Sequence, residues 1–536
     1  GNMADKIDEL FNQLNELKKI VNNTSLQVKE LQAENQKLEE ELAYYKKKFY
    51  GRRTEKLNSL LPDPEQGTLF DLEYPEQDPA DAQPPAESQD SNKTSRQKRR
   101  KGRRQDILAN LPHEEKIIEP ADDEKKCPYC SSEMSKIGKK YLGSKVEIIP
   151  AQIIVNDYFT PVYKCPQCEE SGESTIVAAK ANSNVDGGIP QSVATPSLLA
   201  YILGERYAKG LPYNRLAAAF KQMGFNVDRK MLSNWAVYAA KNWLKVLYDC
   251  FHEMLKRRPY LHADETPFMV LNEKDRKNTS QSYMWVYSTI REDPMPIRLY
   301  DYNPSRAGKV VNEFLGDFSG VLITDGWQAY NAVENADRSM CWAHARRMFV
   351  DAIPADKAGL DKDSIVVKGL YKIRDFFAVE KEISALTPAD KYKQRQIRLV
   401  PMVKEFFEWV QRTVDESAVS SEKLRKALNY CLNHKKELCK FLNDGNIPAT
   451  NSLCERTVRP FTVGRKNWMF AGSPKGAETS AIVYSIVETA KANLLNPHKY
   501  LLYLLQEIPK IKDHTSESLE KLFPWSPEVL LTCKIS

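Results

Sequence analysis

The chain runs to 536 residues, 42% of them hydrophobic, with a formal net charge of +6. So long a chain exceeds one hydrophobic core and divides into three or four units at about 150 residues each. No apolar run approaches the roughly 20 residues of a membrane span or has the make-up of a secretory signal, which excludes a membrane partner and predicts a cytoplasmic location.

Ten cysteines in that reducing setting argue against a disulfide framework. The charge is unevenly spread: residues 62–92 hold nine Asp or Glu and no Lys or Arg, which leaves +15 on the remainder. That balance suits a protein that binds a polyanion.

In chain order, residues 5–50 read as a coiled coil. With a at Ile7, Leu14, Val21, Val28, Asn35 and Leu42, and d at Leu10, Leu17, Thr24, Leu31, Leu38 and Tyr45, ten of twelve seam positions are apolar. β-Branched residues at a and leucines at d favour a parallel dimer, so self-association is expected in preference to one amphipathic helix packed on the body. Residues 51–105 open on a basic run, Arg52, Arg53 and Lys56, suited to phosphate contact where two strands splay, although a solvated helix end has the same composition. The rest of that segment is rich in Pro, Ser and acids and predicts disorder. Its last part, Lys93–Arg104, holds eight cations in twelve residues.

Residues 106–180 carry Cys127-Pro-Tyr-Cys130 and Cys165-Pro-Gln-Cys168. Two such knuckles offer four thiolates to a closed tetrahedral site, so a structural Zn²⁺ is expected. The 34 residues between them exceed the usual spacing, but Val146 and Ile148, then Ile153, Val155 and Tyr158, alternate as an interposed hairpin would. Residues 195–255 turn helical. Tyr213–Met223, a turn at Gly224, and Asp228–Tyr238 capped by Asp228 resemble a helix-turn-helix that offers Arg229, Lys230, Ser233 and Asn234 to a DNA groove.

Alternating elements follow. Tyr260–Ala263, Tyr283–Thr289, Ile297–Tyr300, Gly320–Thr324 and Ser339–Cys341 read as strands, with Ala307–Leu315 a helix before the fourth. Three strands in hairpin order, a helix and further strands are the layout of ribonuclease-H-like folds. The fold class expected is therefore multidomain α+β, with such an α/β core at 258–353 and 446–507, interrupted by an all-helical insertion at 354–445. Residues 508–536 read as a tail without chemistry of their own.

Three carboxylates carry the functional reading: Asp264 at the end of the first strand, Asp325 at the end of the fourth, and Glu455 on a helix bearing arginines. Singly, each is an ordinary strand-end or capping acid. Gathered, they offer the hard oxygens with which two Mg²⁺ or Mn²⁺ ions clamp attacking and leaving phosphate oxygens. Glu265 points to the other face of its strand and is left out.

The combined motifs resemble the bacterial insertion-sequence-66 transposases. They are Tyr50-Gly-Arg-Arg-Thr-Glu-Lys56, the paired knuckles, His262-Ala-Asp-Glu-Thr266, Asp325-Gly-Trp-Gln-Ala-Tyr330, Cys341-Trp-Ala-His-Ala-Arg-Arg347, Asn451-x-x-x-Glu-Arg-x-x-Arg-Pro460 and Gly464-Arg-Lys-Asn-Trp-Met-Phe-Ala-Gly-Ser473. The resemblance implies a DDE-type enzyme in which Asp264, Asp325 and Glu455 hold two Mg²⁺ ions. It would nick transposon ends and join the freed 3′-hydroxyls to target DNA. Double-stranded DNA, as terminal repeats and as target, is the implied partner, with accessory proteins a further one and the nucleoid the place of action. Contacts to DNA would come from Arg52, Arg53, Arg229, Lys230, His344, Arg347, Arg456, Arg459, Arg465, Lys466 and Trp468. Two other readings stay open: a DNA-binding regulator without strand transfer, and a ribonuclease-H-like nuclease that cuts without joining.

Overall fold

The computed structural model describes residues 187–354, 364–416, 419 and 421–535, with residues 115, 117, 132, 151–159, 162–164 and 176–178 besides. The expected coiled coil, the linker with Arg52 and Arg53, and all four knuckle cysteines lie outside them. Near the knuckles, β1 (Val162–Lys164) pairs antiparallel with β2 (Ile176–Ala178). This pair brackets the second knuckle. Residues 151–159, expected to supply part of a hairpin between the knuckles, carry no strand.

The helical region holds α1 (Pro196–Leu203), α2 (Tyr213–Gln222), α3 (Arg229–Ala239) and α4 (Lys245–Lys256). Helix α2 stops at Gly224, whose φ of +86° only glycine adopts without strain. Asp228 then caps α3, its Oδ1 accepting from the Met231 amide at 2.7 Å.

The sheet comprises β3 (Tyr260–Val270), β4 (Gln281–Thr289), β5 (Arg298–Asn303), β6 (Val321–Thr324) and β7 (Asp337–Met340) in the order β5-β4-β3-β6-β7. The first three run antiparallel, whereas β6 lies parallel to β3 and β7 parallel to β6. Helix α5 (Gly308–Leu315) precedes β6, and α6 (Trp342–Asp351) follows β7. All five strands fall where the alternation of residues put them. Strand β3 runs seven residues past its expected end at Ala263, because its second half continues the ladder with β4 to Met269↔Gln281.

Beyond α6 come α7 (Ile365–Glu382), α8 (Pro388–Gln394), α9 (Val400–Glu416), α10 (Glu422–Asn433) and α11 (Lys435–Leu438), with no strand among the described residues of this stretch. Their core centres on the fully buried Trp342 of α6. Its ring lies 5.2 Å from that of Phe376 and 5.4 Å from that of Phe406, and its indole N–H donates to the Leu438 carbonyl at 2.8 Å.

Then α12 (Ser452–Trp468) packs across β3 and β4, β8 (Phe470–Ala471) adds to the far end of β3, and α13 (Pro474–Ala492) covers β5. Strand β5 is a sheet edge, and α13 satisfies its free backbone groups. Ser485 Oγ accepts from the Tyr300 amide at 2.8 Å, while Thr489 Oγ1 accepts from the Arg298 amide and donates to its carbonyl, both at 3.0 Å.

Helices α14 (Pro497–Glu507), α15 (Ser516–Glu520) and α16 (Pro527–Cys533) complete the chain. The presumed tail is thus part of the fold: Leu519, Leu522, Val529 and Cys533 are buried in the main core, and the Tyr500 hydroxyl donates to the Leu522 carbonyl at 2.8 Å. Its apolar spacing is helical but short, so the pattern is legible only once a partner helix is known.

Thr489→Val keeps the shape of the side chain and strands a buried amide and carbonyl of β5. A loss of about 1–3 kcal/mol in urea unfolding is expected, and an unchanged midpoint would show that α13 does not hold the edge.

Candidate active site

Parallel register fixes two of the acids. Leu261 is level with Leu322 and His262 with Ile323, so Asp264, two residues further along β3, and Asp325, the residue after β6, lie at the same end of two adjacent strands. Helix α12 brings the third, since Glu455 lies in its first turn and its amide bonds to the Asn451 carbonyl at 3.2 Å. Both of the others bear on Asp264: burial first, then the charges of Glu265, Asp325 and Glu455, push its carboxyl well above its ordinary range.

Two backbone amides orient the aspartates. The Glu265 amide donates to Asp264 Oδ1, and the Trp327 amide to Asp325 Oδ1, each at 2.9 Å. Gly326 is needed here because a Cβ at that position would stand 2.6 Å from the Tyr430 ring of α10. Arg338 adds bonds to the Asp325 carbonyl at 2.8 Å and to Thr324 Oγ1 at 3.0 Å.

Glu265 lies on the opposite side, as strand alternation requires. Arg306 donates to its Oε1 at 2.5 and 2.8 Å, and the Tyr330 hydroxyl to its Oε2 at 2.5 Å. The guanidinium of Arg306 also covers the Trp327 ring at 3.9 Å.

Asn451 ties these elements together. Its side-chain amide nitrogen donates to the Ala263 carbonyl at 3.0 Å, which turns its Oδ1 to the Nδ1–H of His262 at 2.7 Å. Its backbone amide reaches Cys341 Sγ at 3.0 Å. One fully buried residue therefore bonds to both residues ahead of Asp264, to the start of α6 and to the start of α12. Burial, outweighing the bond from Asn451, lowers His262 to about 4, so it stays a neutral donor at neutral pH. Burial pushes the Cys341 thiol up to about 12, and it acts as an acceptor within this junction.

From α6, His344 and Arg347 face Glu455. His344 Nδ1 lies 3.7 Å from Glu455 Oε1, and an Arg347 nitrogen 3.6 Å from Oε2. Among the described residues Cys341, His344 and Glu455 form the group whose ligand atoms lie within 4.8 Å of one another. Glu455 Oε1 and His344 Nδ1 are buried atoms without a hydrogen-bond partner. An unpartnered carboxylate oxygen facing an imidazole suits a cation once the ring proton moves off Nδ1, and the residues present fit a divalent ion.

The presumed DNA contacts divide. Arg229, Lys230, Arg459 and Lys466 are exposed, and Arg347 is half exposed. Arg456 lines a cavity of about 140 Å³ with His262, Arg291, Lys381 and Arg395. Arg465 turns inward to Thr266 Oγ1 at 3.0 Å and to the Pro267 carbonyl, where it braces β3. Trp468 is half-buried against an internal partner: the Arg206 guanidinium lies 4.1 Å from its ring and 4.1 Å from that of Tyr213. A local sequence cannot show that partner, which comes from 262 positions away.

The sequence reading gave no role to Asn451, Arg306, Tyr330, Arg338 or Tyr430. Asn451 carried the one usable signal, an Asn at a helix start, yet its side chain serves the strand instead of capping α12.

Comparison with known proteins decides the family. A family model described as "Transposase IS66 family" matches residues 191–479, more than half of the 536. The chain belongs to the IS66 transposase family. Three further models agree: "IS66 C-terminal element" at 485–525, "zinc-finger binding domain of transposase IS66" at 124–169, and "Transposase C of IS166 homeodomain" at 37–115. The first of these covers much of the presumed tail.

Among relatives of this IS66 transposase, an uncharacterized protein of Sinorhizobium fredii, y4jD, is 30% identical over 504 residues, spanning 91% of this chain and 94% of the relative. A second from the same organism, y4qI, is 28% identical over 79% of this chain and 77% of its own length. No helix among the described residues is long and apolar enough to cross a membrane.

The raised Asp264 carboxyl has a signed consequence. A group whose folded pKa is raised stabilises most while protonated, and that contribution is lost as pH climbs through the raised value. In Mg²⁺-free buffer at about pH 8, Asp264→Asn should melt a few degrees above the parent, a gain on the order of 1 kcal/mol. The gap should narrow toward about pH 5, and a gap that widens on acidification would contradict the site's electrostatics.

Proposed function

We propose that this IS66 transposase acts as a DDE-type polynucleotidyl transferase, with Asp264, Asp325 and Glu455 as the ligands of two Mg²⁺ or Mn²⁺ ions. The observation that supports the reading is that the charges of Asp325, just after β6, and Glu455, on α12, reach the buried Asp264 of β3 and raise its carboxyl. The strand order β5-β4-β3-β6-β7, with Asp264 within the first strand and Asp325 directly after the fourth, supports a ribonuclease-H-like core, and the helices between α6 and α12 then count as an insertion into it. Ions bound there supply Lewis acidity to the attacking hydroxyl and to the departing oxygen.

The chain's own residues supply position and charge. Asp264 and Asp325, each held at one oxygen by a backbone amide, present their carboxylates from adjacent strands. Arg347, half exposed beside Glu455, is placed to meet the DNA backbone once substrate draws it away from the carboxylate. Arg229, Lys230, Arg459 and Lys466 extend the cationic surface, and Arg52 and Arg53 add to it from the N-terminal segment. The four knuckle cysteines hold a structural Zn²⁺, and the N-terminal heptads pair two chains for work on two transposon ends.

Full-length protein should nick a terminal-repeat oligonucleotide in Mg²⁺ or Mn²⁺ and join the 3′-end to a second duplex. Asp264→Asn, Asp325→Asn and Glu455→Gln should each lower the rate by at least about 10³-fold while gel-shift affinity persists. Binding without nicking by the parent protein would favour a regulator, and nicking without joined products a nuclease.

A further inference from the structure

We infer that His344 is a fourth ligand of the catalytic centre, binding through Nδ1 the same divalent ion as Glu455, in place of the DNA contact that its motif suggests. The inference rests on the carboxylate reading above and assigns one more donor to it.

Geometry separates the candidates at this end of the site. Two ligands about 2.1–2.2 Å from one ion stand roughly 3.0 Å apart when adjacent and 4.3 Å when opposite. His344 Nδ1 and Glu455 Oε1, 3.7 Å apart, fall between those limits, so a small side-chain rotation makes them neighbours on one ion. Neither atom has a hydrogen-bond partner. A histidine serving only the core would have its ring nitrogens satisfied.

Cys341 Sγ, the third atom of the cluster, already accepts the Asn451 amide at 3.0 Å and stays with the junction between α6 and α12. Arg347 shows what ion binding changes. Its guanidinium donates to His344 Nε2 at 3.3 Å, which leaves the ring proton of a neutral imidazole on Nδ1. Ligation through Nδ1 moves that proton to Nε2, where an arginine no longer fits. The ion therefore turns Arg347 outward, toward the phosphate it is placed to meet.

An imidazole in the set tilts metal preference. Nitrogen ligands suit Mn²⁺ and later transition ions better than Mg²⁺, which keeps to oxygen. The site should bind Mn²⁺ more tightly than Mg²⁺, and His344→Asn should weaken Mn²⁺ binding about ten-fold or more with little change for Mg²⁺.

Electron spin-echo modulation of Mn²⁺ added to full-length, zinc-loaded protein reads the bond directly. The parent should show ¹⁴N coupling of an imidazole, replaced by ¹⁵N coupling when histidine alone is labelled, and His344→Asn should bind Mn²⁺ without it. Circular dichroism of that variant checks that it is folded. Mn²⁺ bound by the parent with no nitrogen coupling, or coupling that persists in His344→Asn, overturns the assignment of His344 and leaves the carboxylates standing. Failure of the parent to bind Mn²⁺, or binding that Asp264→Asn leaves intact, overturns the carboxylate centre and His344 with it.

Discussion

Burying a carboxylate beside other acids is costly, and the proposed centre of this protein requires the fold to hold Asp264 in such a place. The Asp264 carboxyl is pushed up by burial and by the charges of Glu265, Asp325 and Glu455, so the fold itself does not favour its ionised form. Such a site is stable only because the surrounding framework over-determines it. Two strands in parallel register fix the aspartates, and a helix laid over the sheet delivers the glutamate. On the proposed reading a divalent cation would reverse the sign of the problem, turning repulsion at Asp264 into shared attraction.

Asn451 is the joint that makes the framework rigid. It spends its side chain on the His262 ring and the Ala263 carbonyl, and its backbone amide on Cys341. Each bond ends beside a segment bearing one of the site's groups, so β3, α6 and α12 cannot shift independently. The remaining helices reach the same place from outside, since Tyr430 of α10 closes on Gly326 next to Asp325. The stretch between α6 and α12 is therefore a wall of the site as well as a unit with its own aromatic core around Trp342.

Much of this was legible in the residues alone, for local reasons. β-Branched and aromatic alternation located five strands, Asp228 and Gly224 marked the helical turn, and acids closing apolar runs pointed to Asp264 and Asp325. What escaped depends on pairs distant in sequence. Nothing near Trp468 announces that Arg206 will cover its ring, nor does the text around Arg465 show that it will brace β3. Cys341 and Cys454, whose roles no local motif marks, are acceptor and donor in buried junctions, to the Asn451 amide at 3.0 Å and the Val286 carbonyl at 3.5 Å. The C-terminal helices hide for the same reason, because a short amphipathic segment has meaning only against the surface it covers.

The most direct test of the central claim is a crystal of the full chain soaked in Mn²⁺ and read by anomalous scattering. The account predicts manganese peaks in the space enclosed by the carboxylates of Asp264, Asp325 and Glu455. Well-ordered carboxylates with no peak among them, or peaks confined to other surface acids, would contradict it.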